Sequence, residues 1–363
     1  MRERVSMRHC HKTVLVILLA SAGLGLCQQP APGPAAAQVQ APGEAPSLTV
    51  DRDPVRSPDG EATAKTPLEK TNGGYVLRTD VEEVVLNATV LDGTQLVAGL
   101  NKSNFQVFED GVQQKIIGFQ HTDLPVSIGL VVDNSGSMSR KRPSVNKSTL
   151  DLIEASNSQD EAFVVNFSDE AFIDQDFTSD IAKLREGLSH IESRGGTALY
   201  DAVVASADKL AQDAKRPKQV LILITDGEDN ASTLNLEQTI RRVQELSGPV
   251  IYSIGLLFGD EMTRSESRHA RRALEMLSTE TGGIAFFPKS IEQVDQIAAE
   301  VARDIRNQYT IGYHSTKPSS APGFRRVLVV AKDSSHDKLT VRTRTGYFPE
   351  ASMPKKPLGP STR

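Results

Sequence analysis

The spacing of apolar residues changes along this chain, and each change predicts a different kind of element. Val81 to Leu91 is β-branched and partly alternating, and the Asp92-Gly93 pair behind it reads as a turn. Phe105 to Gly111 alternates toward a second Asp-Gly turn, and Ile116 to Phe119 predicts a further strand. The middle of the chain then alternates strand-like with helix-like runs, the pattern of a parallel α/β sheet. Strands are expected at Gly129 to Asp133, Glu161 to Phe167, Gln219 to Thr225, Val250 to Leu256 and Ile284 to Phe287, with Ala171 to Phe177 returning as an antiparallel edge. Helical spacing is met at Ile181, Leu184, Leu188 and Ile191 behind a Ser179-Asp180 start, at Leu199, Ala202, Val203, Ser206 and Leu210, and at Leu236, Ile240 and Val243. A further helix is expected to stop at Thr281-Gly282-Gly283 in a left-handed turn. Ser290 to Gln293 has the form of a capping box, opening a helix whose stripe Ile291, Val294, Ile297, Ala298, Val301 and Ile305 is core packing.

Beyond that helix the strand pattern returns, at Gln308 to Tyr313, Arg326 to Ala331, Leu339 to Arg344 and Gly346-Tyr347-Phe348. Either flank alone offers too few strands to close a core. The economical expectation is one β-sandwich built from N- and C-terminal strands, with the α/β domain inserted between them.

The two ends read differently. Arg2, Arg4, Arg8 and Lys12 precede the apolar run Val14 to Leu26, which has the length of a signal-peptide core and is short for a membrane-spanning helix. Met7 would serve as a compact alternative start, and cleavage is expected after Ala22 or near Ala35 to Ala37. Residues 28–72 are rich in Pro, Ala, Gly, Gln and Thr and cannot bury enough apolar surface to offset their ordering entropy, so they read as a disordered linker. The expected organisation is a signal peptide at 1–27, the linker at 28–72, an N-terminal β segment at 73–122, the α/β domain at 123–306, a C-terminal β segment at 307–350 and a disordered tail at 351–363.

Composition narrows the function. The 363 residues carry 41 basic and 46 acidic side chains and no Trp, so no basic surface is offered to nucleic acid. The two cysteines, Cys10 and Cys27, fall in or beside the signal segment, which leaves the rest of the chain to hold by packing alone. Leu24-Gly25-Leu26-Cys27 is similar to a lipoprotein box but carries Leu where a small residue is usual. Lipid on Cys27 and an uncleaved signal are the two routes to membrane anchoring. Export places the protein in the periplasm, the cell envelope or outside the cell.

The candidate chemistry sits at one strand end. The run Gly129-Leu130-Val131-Val132 stops at Asp133-Asn134-Ser135-Gly136-Ser137, and ligands of open α/β sheets bind beyond the carboxyl ends of strands. Two later pieces can converge there: Thr197, behind the Gly195-Gly196 pair, and Asp226-Gly227, at the end of another apolar run. Asp133, Ser135, Ser137, Thr197 and Asp226 are all oxygen donors, a set that suits a hard divalent cation, Mg²⁺ or else Mn²⁺ or Ca²⁺. Asp201 and Asp229 lie near and are expected to cap a helix and a turn.

In this order and spacing the Asp-x-Ser-x-Ser, Thr and Asp-Gly pieces resemble the metal-ion-dependent adhesion site of von Willebrand factor type A domains. The stretch from Tyr75 to Phe348 also resembles the bacterial VWFA-related subfamily, through Phe105 to Gly111, Gln308 to Tyr313 and Gly346-Tyr347. The resemblance implies a doubly wound, mostly parallel, Rossmann-like sheet. It further implies Ser135, Ser137 and Thr197 as hydroxyl ligands, Asp133 and Asp226 acting directly or through water, and a partner Asp or Glu carboxylate completing the coordination. An exported, metal-dependent protein-binding module of adhesion type is therefore expected, and no enzyme. The rival expectations are a metal-independent envelope scaffold and a serine hydrolase. The hydrolase lacks the Gly-x-Ser-x-Gly elbow, and His190 is expected on a helix surface.

Overall fold

The computed structural model describes residues 83–349, apart from 155–156, 191–192, 247 and 259–261. The signal segment, both cysteines, the linker, residues 73–82, Ile191 and the C-terminal tail lie outside the described residues.

The N-terminal flank supplies β1 (Glu83–Asp92), β2 (Gln95–Leu96), β3 (Phe105–Glu109), β4 (Val112–Gln114) and β5 (Ile116–Gln120). The central part runs through β6 (Val126–Asp133), α1 (Arg142–Glu154), β7 (Glu161–Phe167), β8 (Ala171–Thr178), α2 (Ile181–Ser189), α3 (Leu199–Asp213) and β9 (Lys218–Thr225). It continues with α4 (Leu236–Glu245), β10 (Val250–Gly255), α5 (Arg264–Thr281), β11 (Ala285–Phe286) and α6 (Val294–Arg306). The C-terminal flank adds β12 (Tyr309–His314), β13 (Arg325–Ala331), β14 (Leu339–Arg342) and β15 (Gly346–Tyr347).

The central sheet has the order β11-β10-β9-β6-β7-β8 and is parallel except for β8, which returns antiparallel along β7 at the edge. Its middle strand β6 is buried at every position, as a strand covered on both faces must be. Alternation along β9 sorts the two cores. Val220, Ile222 and Ile224 join Val145, Leu184 and Val301 on one face, while Leu221 and Leu223 join Leu199, Val203, Val243 and Leu274 on the other. Helices α1, α2 and α6 thus cover one side and α3, α4 and α5 the other. Gly282, at φ 89°, makes the left-handed stop of α5.

Two local expectations change, and one helix stands where none was expected. Helix α1 has no apolar stripe to announce it, because its buried positions include Arg142, Ser148 and Thr149 beside Val145, Leu152 and Ile153. The Ser290 capping box does not form: Ile291–Gln293 is a 3-10 turn, α6 begins at Val294, and Gln293 accepts from the Lys289 amide, one residue before Ser290. His190 lies just past the end of α2, half-buried, with Nδ1 3.0 Å from Asp174 Oδ1.

The two flanks pair with each other. β1 lies antiparallel between β12 and β14, β12 also pairs β5, and β13 lies between β3 and β15. Leu86 and Ala88 of one sheet and Val107 and Val329 of the other belong to a single apolar cluster. Its polar heart is Glu109, which accepts from Tyr313 Oη at 2.8 Å, Tyr347 Oη at 2.9 Å and Ser315 Oγ at 2.6 Å, with Arg325 Nη1 at 3.8 Å. The three stretches that carry the subfamily resemblance, 105–111, 308–313 and 346–347, thus meet at one buried carboxylate. The central domain is fastened to these sheets by Arg342 of β14, which donates to Asp304 Oδ2 of α6 at 2.5 Å, beside the Tyr252 hydroxyl that donates to the same oxygen from within the domain.

Replacing Glu109 by Ala removes the buried counter-charge beside Arg325 and the acceptor of three hydroxyls, those of Tyr313, Tyr347 and Ser315. It should lower unfolding stability by about 3 kcal/mol or more in chemical denaturation. Lys218, buried at the start of β9 with Nζ on the Ile305 carbonyl at 3.1 Å, has its ammonium pushed down to about 8 by burial. Because the unfolded chain then binds more protons than the folded one between about pH 8 and pH 10.4, stability should rise across that window by up to roughly 3 kcal/mol. A Lys218→Met variant should lose the rise in urea titrations carried out across the same pH range.

Candidate functional site

Strand β6 delivers Asp133 to the sheet's carboxyl edge with its side chain fully buried and both oxygens engaged. Oδ1 accepts the Ser135 amide at 2.7 Å, closing an Asx turn, and Oδ2 accepts Thr225 Oγ1 from the end of β9 at 2.5 Å. The acid therefore holds two neighbouring strand ends together. Burial pushes its carboxyl up to about 6, against the pull of the hydrogen bonds from Thr225 and Ser135, while the charge of Asp226 adds to the rise.

The turn after Asp133 carries a short 3-10 segment, Gly136–Arg140, that starts behind Ser135. Ser135 Oγ lies 3.2 Å from Ser137 Oγ, and Ser137 Oγ donates to Asp226 Oδ1 at 2.7 Å. Thr197 arrives on the glycine loop before α3. Its amide donates to Asn230 Oδ1 at 2.9 Å and its carbonyl accepts the Asn230 amide at 3.1 Å, which zips this loop to the one following β9. A Cβ placed on Gly227 would stand 3.3 Å from Thr197 Oγ1, so the threonine hydroxyl abuts the Asp226-Gly227 turn. Ser135, Ser137, Asp226 and Thr197 thus share one rim, with Asp133 behind it.

Gly195 makes that approach possible. It sits at φ +78°, and a Cβ there would fall 2.1 Å from Asp169 Oδ2, whose partner oxygen accepts the Gly196 amide at 2.7 Å. Asp229 accepts the Tyr200 amide at 3.0 Å in the first turn of α3, and Asp201 accepts the Thr233 and Leu234 amides at 2.8 and 3.0 Å. The two acids hold a helix start and a turn, as their positions suggested. Burial raises the Asp229 carboxyl above the ordinary value.

Two basic residues that sequence reasoning missed complete the cluster. Arg142 is fully buried beneath the rim, donating to Asn166 Oδ1 at 2.7 Å and the Leu188 carbonyl at 3.1 Å, with the Asp133 carbonyl 3.5 Å away. Burial lowers its guanidinium to about 10, still charged at neutral pH, and the nearby Asp133 and Asp174 oppose that fall. Lys141 places Nζ 2.5 Å from Asp226 Oδ2. The only sequence signal for either is the Lys-Arg pair directly behind the serine turn, and such pairs are ordinarily surface residues.

A cavity of about 360 Å³ opens on the other side of Asn134, lined among others by Asp169, Asp174, His190 and Arg194. Of its acids, Asp169 is engaged by Gly196 and Asp174 by Asn166 and His190. Among the described residues, no three of His, Cys, Asp or Glu gather as a metal centre, so a cation at the rim would rest chiefly on hydroxyls.

Residues 128–228 match the von Willebrand factor type A domain family, and the central domain of this chain is a von Willebrand factor type A domain. Domains of this family are generally binding modules. No curated protein matches the chain. Among solved structures the chain is similar to the PilB minor pilin from Streptococcus sanguinis, at 16% identity, over 51% of this chain and 62% of the pilin, with TM-score 0.40. It is similar to the vWF domain of the pili tip protein Mfa5 from Porphyromonas gingivalis, at 15% identity, over 51% and 97%, with TM-score 0.40. A von Willebrand factor type A protein from Catenulispora acidiphila is similar at 14% identity, over 76% and 75%, with TM-score 0.43. The chain spans less than two thirds of the pilin's length.

Gly195→Ala should lower stability by about 1–3 kcal/mol in urea unfolding, through backbone strain and the clash with Asp169. Gly136, which a Cβ would leave without close neighbours, should tolerate the same change to within about 0.5 kcal/mol.

Proposed function

We propose that this protein is an exported, divalent-metal-dependent protein-binding module of adhesion type, in which a cation at the rim captures a carboxylate of the partner. Ser135, Ser137 and Thr197 would hold the cation through hydroxyls, and Asp226 and Asp133 would complete the set, Asp133 through water because both its oxygens are taken by the protein. The observation that carries this reading is the run of oxygens from Ser135 through Ser137 to Asp226, spaced 3.2 and 2.7 Å. Adjacent ligands of an octahedral Mg²⁺ held at about 2.1 Å stand roughly 3 Å apart, so the rim fits the ion in donor type and in spacing. Mn²⁺ and Ca²⁺ take the same donors. The cation would supply a positive contact point for a Glu or Asp side chain, and the protein's part is to keep that charge poorly neutralised. Hydroxyl donors do so because they bring no charge of their own.

A non-catalytic role is supported by where the candidate nucleophiles point. Ser135 and Ser137 bond to each other and to Asp226, while His190 bonds to Asp174. We read the two flanking sheets as the layers of a sandwich that presents the rim. The charged start and short apolar run at the N-terminus support export, and among the described residues no helix is long and apolar enough to cross a membrane. One observation favours a second reading, a metal-independent scaffold: the Asp226 carboxylate already has a cation of the protein's own, Lys141.

Mg²⁺ or Mn²⁺ should raise the melting temperature of the wild-type protein by mass action, by an amount that grows with metal concentration. Asp133→Ala should abolish that response. Retention of envelope or matrix proteins on the immobilised protein should fall on adding chelator. Retention that chelator does not reduce, and that is alike for wild type and Asp133→Ala, would favour the scaffold reading instead.

A further inference from the structure

Lys141 reaches the rim from the residue that closes the 3-10 turn carrying Ser137. Its Nζ stands 2.5 Å from Asp226 Oδ2, and it lies over the Phe258 ring, 5.6 Å from the centroid. Side-chain exposure is 13% for Lys141 and nil for Asp226, so this is a desolvated pair rather than a surface contact. The other oxygen of Asp226 accepts from Ser137. The ammonium is therefore bound to the rim carboxylate whose oxygens are held by side chains of the serine turn, Ser137 and Lys141, whereas those of Asp133 are fixed from within the fold by the Ser135 amide and Thr225.

Two pairs of opposite charge meet among the described residues here. Asp133 and Asp226 supply two negative groups, and Arg142 and Lys141 supply two positive ones. Arg142 cannot leave, because it is buried and bonded to Asn166 and Leu188. Lys141 can, because its long stem is flexible and an ammonium is hydrated readily once released. A divalent ion entering with Lys141 in place would raise the local charge by two in a poorly solvated site. Release of the lysine would remove one of those charges and free an oxygen.

We propose that Lys141 is a tethered competitor for the cation: it neutralises Asp226 while the rim is empty and is expelled as a divalent ion binds. This rests on the metal-site reading of the rim and assigns its regulation. Two properties follow. The empty rim stays folded without metal, because its buried acid has a partner. Metal affinity is set weaker than the oxygen donors alone would allow, so occupancy follows the concentration of free divalent ions outside the cell.

The test uses the purified full chain and Mn²⁺ or Mg²⁺ as the probe. Calorimetric titration of Lys141→Met should show binding about tenfold tighter than wild type, and Lys141→Arg should stay near wild type. The metal-free Lys141→Met protein should melt at a lower temperature than wild type, because Asp226 loses its internal partner. A second measurement needs no variant: acetylation of Lys141 in the wild type, read by mass spectrometry of its peptide, should speed up severalfold when Mg²⁺ is added. Binding by Lys141→Met that is equal to or weaker than wild type, or labelling of Lys141 that stays constant or slows with metal, overturns the proposal while leaving the metal site intact. If only Lys141→Met binds metal, the lysine has won the competition outright, and the proposal stands while the metal dependence of the native protein falls. If neither protein binds, both the metal site and the competition are refuted.

Discussion

Everything at the rim hangs on one buried carboxylate whose two oxygens are both spoken for. Asp133 ends the innermost strand of the central sheet, and its oxygens accept the Ser135 amide and the Thr225 hydroxyl. One bond shapes the turn that carries Ser135 and Ser137. The other fixes the end of β9, from which Asp226 emerges one residue later. A charged group in such a place is tolerated only because every acceptor site is matched, and burial still pushes its proton affinity upward. The geometry of two of the rim's chain segments therefore reduces to the placement of one side chain by parallel strand pairing, and Asn230 ties in the third.

Much of this was legible in the chain, for reasons that can be named. A buried parallel strand is a run of Val, Ile and Leu, and its end is visible as the first acid, so Asp133 and Asp226 could be located by pattern alone. The two serines followed because they are adjacent in sequence, and Thr197 because a glycine pair sets it before a helical run. Less visible were the groups held in place by distant partners. Arg142 and Lys141 look like any basic pair, and only the convergence of Asn166, Leu188 and Asp226 around them reveals their positions. Asn230, which ties the threonine loop to the turn after β9, is likewise recognisable only once the two loops are side by side. Helix α1 escaped notice because the face it buries is partly polar, so the hydrophobic periodicity that announces α3 and α6 is absent from it.

The flanking strands carry the same lesson in another form. Each motif piece could be read as a strand or a turn, yet none showed what it was for. In the fold, Glu109 from one piece accepts from Tyr313 and Tyr347 of the other two, more than two hundred residues away. A carboxylate buried among tyrosine hydroxyls and beside an arginine needs all of its partners present at once. The two ends of the described chain are in this way bound to one another through their polar groups as well as through their apolar ones.

That arrangement has a mechanical corollary. The chain leaves the flanking sheets at the end of β5 and returns at the start of β12, and these strands are antiparallel neighbours with Gln120 opposite Thr310. Tension exerted on the central lobe draws both strands in the same direction, so the ladder between them is not sheared. The load passes instead to the six-pair register of β1 with β12, whose bonds must break together for either strand to slide. A lobe hung from two adjacent strands is covalently anchored at what amounts to one point, and its resistance to being torn loose is borne by the neighbouring ladder and by the bonds of Arg342 and Thr345 to α6 and α5.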